Sequence, residues 1–202
     1  MKIIMLPLLL LSFTFFSCSN SSDQLATLSS DATILAFGDS LTFGTGANKN
    51  QDYPSRLASL TQMRVINAGV PGEVSSKGLE RLPQLLEQHK PDLLILIHGG
   101  NDILQKLPRN DQKNNLLAMI ELAKNSNIQI VLFGVPQPGL FLKSAEIYEQ
   151  IGDETGIPTE LSLLPDILGN KSLKADIAHP NAKGYKKMAD GIYDFLKENN
   201  IL

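Results

Sequence analysis

The segment Leu93-Leu94-Ile95-Leu96-Ile97, five apolar residues without a polar break, most constrains what this chain can fold into. A run that short and that uniformly apolar fits a strand buried on both faces. Further runs at residues 33–37, 64–68 and 128–133 read as strands. Residues 157–159, after Gly156, read as a short edge strand. Between them lie segments with helical spacing. Residues 53–60 predict a short helix, and residues 77–89 an amphipathic one through Leu79, Leu82, Leu85 and Leu86. Pro83 predicts a kink in that helix or a later start. Residues 111–125, 142–151 and 182–199 predict three more, the last with Tyr185, Met188, Ala189, Ile192 and Phe195 along one face. Strand–helix alternation of this kind gives an α/β fold, a parallel sheet with helices on both faces. Sites in such sheets form at the carboxyl ends of the strands.

The N-terminus obeys different rules. Lys2, the apolar stretch from Ile3 to Phe16 and the small residues around Cys18 describe an export signal over residues 1–17, shorter than a comfortable membrane span. Cys18 is the only cysteine, so no intramolecular disulfide forms. A lone cysteine ending a signal core resembles the lipobox of bacterial lipoproteins, which implies lipidation of Cys18 and attachment to a membrane surface. Ser17 suits that pattern, while Phe15 stands where leucine is usual. Residues 18–31 read as a lipidated cysteine and a polar, Ser-rich tether, and residues 32–202 as one compact domain. The expected location is outside the cytoplasm, in the periplasm or at the cell surface. A formal net charge of −3 with no basic run argues against nucleic acid as a partner.

The strand ends carry the chemistry. Ser40, in Phe37-Gly38-Asp39-Ser40-Leu41, follows the first strand; Gly72 follows the second; Asn101, after Gly99-Gly100, follows the third. Singly, each is a turn or a loop. Together they would project from one edge of one sheet. Serine needs a base to take its proton, and the chain has three histidines. His89 lies at a polar helix end, where capping or solvent contact explains it. His98 ends the third strand, where a core or supporting role fits better than that of base. His179, in Asp176-Ile177-Ala178-His179-Pro180, has a carboxylate three residues earlier that could fix its tautomer, although the pair could also simply cap the last helix. Pro180 is placed in that helix's first turn. Attack on an acyl carbon creates an oxyanion, for which the Ser40 N–H, the Gly72 N–H and the Asn101 amide are candidate donors. No cysteine, histidine or carboxylate cluster has metal-site spacing, and the glycines match neither a phosphate loop nor a dinucleotide loop. No cofactor is expected.

In order, the chain presents Phe37-Gly38-Asp39-Ser40-Leu41, Asn67-Ala68-Gly69-Val70-Pro71-Gly72-Glu73, Gly99-Gly100-Asn101-Asp102 and Asp176-Ile177-Ala178-His179-Pro180. These four blocks resemble those of the SGNH hydrolases, the GDSL esterase/lipase family, in its bacterial arylesterase, thioesterase and lysophospholipase group. The resemblance implies a three-layer α/β/α, flavodoxin-like fold with a central parallel sheet. It also implies a Ser40–His179–Asp176 triad, an oxyanion hole of Ser40, Gly72 and Asn101, and a bracing role for Asp39. Glu73, where that group commonly has Asp, and His98, in place of an apolar residue, depart from it and are expected to reshape the pocket rim. The implied substrates are carboxylic esters: aryl esters, lysophospholipids and thioesters. Ile103, Leu104 and Leu107 are expected in the acyl pocket, with residues 138–142 as its opposite wall. Two alternatives stand beside this: an exported carbohydrate O-deacetylase on the same fold, and a binding lipoprotein without catalysis.

Overall fold

The computed structural model describes residues 26–139 and 142–202. The expected signal segment, Cys18 and most of the tether lie outside the described residues, as do Leu140 and Phe141 of the expected pocket wall.

Five parallel strands form the main sheet in the order β2-β1-β3-β4-β7. They are β1 (Thr33–Gly38), β2 (Arg64–Gly69), β3 (Leu93–Ile97), β4 (Gln129–Phe133) and the short β7 (Thr159–Glu160). The second strand lies on one side of β1 and the third on the other, so the chain reverses its direction of travel at β1. That reversal opens a crevice between the carboxyl ends of β1 and β3. In register, Gly38 pairs with Gly69 on one side and Ile97 on the other, which brings three strand ends level. All five residues of β3 are fully buried, as its sequence requires.

Helix α3 (Ser75–His89) packs on α5 (Arg109–Asn125), whereas α2 (Tyr53–Thr61) and α7 (Leu163–Gly169) pack on α8 (Ala182–Glu198). These layers give the expected three-layer α/β/α arrangement. Short helices α1 (Ser40–Phe43) and α4 (Gly100–Leu104) follow β1 and β3 directly.

Several local expectations change. Helix α3 starts at Ser75, two residues early, because the carboxylate of Asp102 in α4 caps it, accepting from Ser75 N (2.8 Å) and from the Ser75 hydroxyl. Pro83 lies inside this helix on an exposed position, where water can satisfy the Leu79 carbonyl that loses its partner. Helix α6 (Glu146–Thr155) starts four residues later than expected, since β6 (Lys143–Ser144) is drawn into an antiparallel pair with β5 (Pro136–Gln137). Pro180 stands outside α8, whose N-cap is Asn181, its side chain accepting from Lys183 N and Gly184 N.

Asp102 is 3 % exposed, so its loss strands the Ser75 donors in the interior. Asp102→Ala is expected to destabilise the domain by about 2 kcal/mol, read as a lowered urea midpoint at unchanged slope.

Candidate active site

Ser40 is the first residue of α1, immediately after Asp39 as N-cap. Its N–H therefore has no partner within the helix and faces outward. The Asp39 side chain is almost wholly buried; one oxygen accepts from Leu41 N (3.0 Å), and the other lies 3.3 Å from Asn101 Nδ2. Burial pushes the Asp39 carboxyl up from its ordinary pKa, opposed by His98 and His179 nearby and by the Leu41 and Gly100 N–H groups. Asp39 thus holds the turn that carries Ser40 from beneath. Tyr185 adds a second tie from α8, its hydroxyl donating to the Thr45 carbonyl at 2.9 Å.

Across 139 residues of chain, His179 Nε2 lies 3.0 Å from Ser40 Oγ. On its other side Nδ1 lies 2.8 Å from Asp176 Oδ2 and 3.0 Å from Oδ1. With the Nδ1 proton directed at the carboxylate, Nε2 is left as the acceptor for the serine proton. Asp176 Oδ1 also accepts from Ala178 N and His179 N, so the carboxylate folds the loop as well as orienting the ring. Desolvation would raise its pKa, but the bonds from His179 and Ala178 hold the carboxyl below its ordinary value. The loop is pinned by Asn181, whose Nδ2 donates to the Ser172 and Lys174 carbonyls.

The turn Val70-Pro71-Gly72-Glu73 is closed by Glu73 N donating to the Val70 carbonyl at 3.2 Å. Gly72 adopts φ +78°, the position of a type II turn that a side chain disfavours, and its own N–H is not used by the turn. Asn101 stands in the first turn of α4, its Nδ2 donating to the Glu73 carbonyl at 2.9 Å. Ser40, Gly72, Asn101 and His179 all line one cavity of about 570 Å³. Its walls are mainly apolar and include Ile103, Leu104, Pro138, Gly139, Leu142, Leu168 and Ile177.

Of the expected acyl-pocket residues, Ile103 and Leu104 line this cavity and Leu107 does not. Leu168 and Ile177 were not anticipated. Ile177 is 92 % exposed, and the signal for it was its place between two site residues, an apolar side chain where nothing in the core could receive it. The expectation for Glu73 and His98 is corrected: neither lines the cavity. They face each other behind it, His98 Nε2 3.0 Å from Glu73 Oε2, with Arg81 Nε donating to both Glu73 oxygens at 2.7 and 2.9 Å. Their spacing in sequence follows no helix or strand period, so no sequence pattern announces the contact.

Residues 36–187 match the model of the GDSL-like Lipase/Acylhydrolase family. An arylesterase from Vibrio mimicus is 31 % identical over 165 residues, 79 % of this chain and 80 % of its own length. A protein of Escherichia coli strain K12 described as thioesterase 1/protease 1/lysophospholipase L1 is 29 % identical over 170 residues, 78 % of this chain and 80 % of its own. Among solved structures, the psychrotrophic esterase EstA from a Pseudoalteromonas species, inhibited by monoethylphosphonate, superposes with a TM-score of 0.74. It is 28 % identical and covers 83 % of this chain and 98 % of its own.

Desolvation raises the Glu73 pKa, but the hydrogen bonds from His98 and Arg81 outweigh it and hold the carboxyl below its ordinary value. A depressed carboxylate contributes stability that is complete above the unfolded pKa, about 4.3, and is lost as pH falls through the folded value. Between pH 5 and pH 3 the urea midpoint is therefore expected to fall less steeply in Glu73→Gln than in the parent chain.

Proposed function

The chain belongs to the GDSL-like lipase/acylhydrolase family and is a hydrolase of ester bonds, and from that premise we propose that Ser40, His179 and Asp176 are its catalytic triad. The observation that carries this reading is the unbroken line of contacts, Ser40 Oγ to His179 Nε2 and His179 Nδ1 to Asp176, opening into an apolar cavity. Ser40 Oγ attacks the acyl carbon while His179 Nε2 takes its proton, and Asp176 stabilises the imidazolium that results. The Ser40 and Gly72 N–H groups and Asn101 Nδ2 receive the oxyanion, Asn101 exchanging its long 3.3 Å contact with Asp39 for the substrate. His179 then protonates the leaving alkoxide or thiolate, and water repeats the sequence on the acyl-enzyme. The mainly apolar walls favour aliphatic or aryl acyl groups over bare acetyl. Similarity to an arylesterase and to a protein described as thioesterase and lysophospholipase supports aryl esters, lysophospholipids and thioesters as the substrate range.

Export and anchoring through Cys18 belong to the same proposal, and the described domain adds a direction to them. The chain enters at the edge opposite the cavity. Gln129 Nε2, at the start of β4, donates to the Ala26 carbonyl, and Leu28 N donates to the Ile201 carbonyl. Ala26 is eight chain steps from Cys18, a reach of about 28 Å at full extension. A domain of this size is about 40 Å across. Such a tether does not let the domain turn over completely to press the cavity onto the leaflet that holds the anchor. This geometry favours esters that reach the site from the aqueous side, lysophospholipids among them as dispersed monomers.

Hydrolysis of p-nitrophenyl esters from acetyl to long acyl chains tests the chemistry. Ser40→Ala is expected to abolish turnover, Asp176→Asn to lower kcat about ten-thousandfold while keeping the fold, and the chain-length optimum to lie beyond acetyl. Full activity of folded Asp176→Asn would remove that residue from the mechanism. For the anchor, mass spectrometry of membrane fractions should show an acylated Cys18. The anchored enzyme should cleave a bilayer-embedded ester only after a long Gly/Ser linker is inserted before Ala26, with turnover of water-soluble esters unchanged.

A further inference from the structure

Behind the cavity lies a buried polar cluster that takes no part in the steps above. Side-chain exposure is 7 % for Glu73, 0 % for His98 and 24 % for Arg81. Gly99 N donates to His98 Nδ1 at 2.8 Å, which makes Nδ1 the acceptor and directs the Nε2 proton at Glu73 Oε2. Arg81 Nη2 donates to Glu73 Oε2 and also to the Gly38 and Ala68 carbonyls, at the ends of β1 and β2. The guanidinium lies 4.2 Å from the centre of the Phe37 ring.

The seat for His98 is built into the opposing helix. Gly78 is the fourth residue of α3, at the end of its first turn, a helical position that glycine favours less than alanine does. A Cβ at that position would collide with His98 Nε2. The helix thus accepts a residue that weakens it so that the imidazole can reach Glu73.

Glu73 touches both remote oxyanion donors through its backbone. Its N–H closes the turn that presents Gly72, and its carbonyl holds Asn101 Nδ2. We propose that Glu73, clamped by Arg81 and His98, is the positioning residue of the oxyanion hole, setting the Gly72 N–H and the Asn101 amide in one rigid relation to Ser40. This rests on the assignment of Gly72 and Asn101 as oxyanion donors. The clamp reaches Ser40 as well, because Arg81 is bonded to the carbonyl of Gly38, two residues before the nucleophile.

The test is a double-mutant cycle on p-nitrophenyl butyrate hydrolysis, with thermal unfolding of every variant recorded beside it. Glu73→Gln is expected to lower kcat between about tenfold and a hundredfold, with KM within about twofold. That split points to a loss felt in the transition state rather than in substrate binding. In an Asn101→Ala background the same substitution should lower kcat less, because one of the two groups it positions is already gone. Should Glu73→Gln unfold at assay temperature, Arg81→Lys carries the same comparison, since a lysine keeps the charge but loses the planar two-donor grip. Unchanged kcat in a folded variant, or fully additive losses in the double variant, would overturn the positioning role. If Asn101→Ala alone left kcat intact, the oxyanion assignment would fall, and this inference with it.

Discussion

The parallel pairing of β1 with β2 on one side and β3 on the other is the constraint on which everything else rests. Its register sets Gly38 level with Gly69 and Ile97, so three strands stop at one height and release three turns into one crevice. Each turn delivers one group: Ser40 after β1, Gly72 after β2, Asn101 after β3. A slip of a single residue in either ladder would move a strand end by about 3.3 Å, more than a hydrogen bond tolerates. Because β3 and most of β1 are buried on both faces, such a slip would also move every side chain they carry out of its packed place. Core packing and the geometry of the proposed site are therefore one specification, written in the apolar residues of these strands.

The two halves of the site are held by different means. Asp176 and His179 sit on a partly exposed loop, the aspartate side chain 51 % exposed, and depend on local bonds from Asp176 and Asn181. Gly72 and Asn101, the proposed oxyanion donors, are tied to the Glu73–Arg81–His98 cluster. A buried ion pair is weak evidence for stability, since desolvating both charges can offset their attraction. What such a cluster supplies is direction: carboxylate, imidazole and guanidinium satisfy one another in few arrangements. Donors aimed before the charge develops need no reorganisation when it does, and this is where a rigid support has most effect.

Much of this was legible in the sequence. The strands were visible because continuous apolar runs have few other solutions. Ser40, Gly72, Asn101, Asp176 and His179 were visible because each closes a run or precedes a helix. The late start of α6 was not, because Lys143 and Ser144 answer to Pro136 and Gln137 rather than to the helical period that follows. Helix α7 has a weak sequence signal because Pro165 and Gly169 fall within its seven residues, although proline is tolerated in a first turn. Glu73 and His98 were noticed as unusual but misplaced. Their partnership depends on a glycine in α3 and an arginine one turn along, a coincidence of three elements that only the packed structure brings together.

Ile177 shows how the remaining apolar surface fits the chemistry. An isoleucine 92 % exposed two residues before His179 gains nothing for the folded state, because burial is what makes such a side chain favourable. Leu104, 60 % exposed across the same cavity, is in the same position. Both line the mouth into which Ser40 points, so an acyl or aryl group bound there would remove their surface from water together with its own. The hydrophobic effect then acts on substrate capture rather than on folding. Because that contact is much the same in the ground state and the transition state, it sets affinity and chain-length preference, while rate is left to the donors beneath. The apolar rim and the buried polar cluster thus divide the work by depth, selection at the surface and charge stabilisation below it.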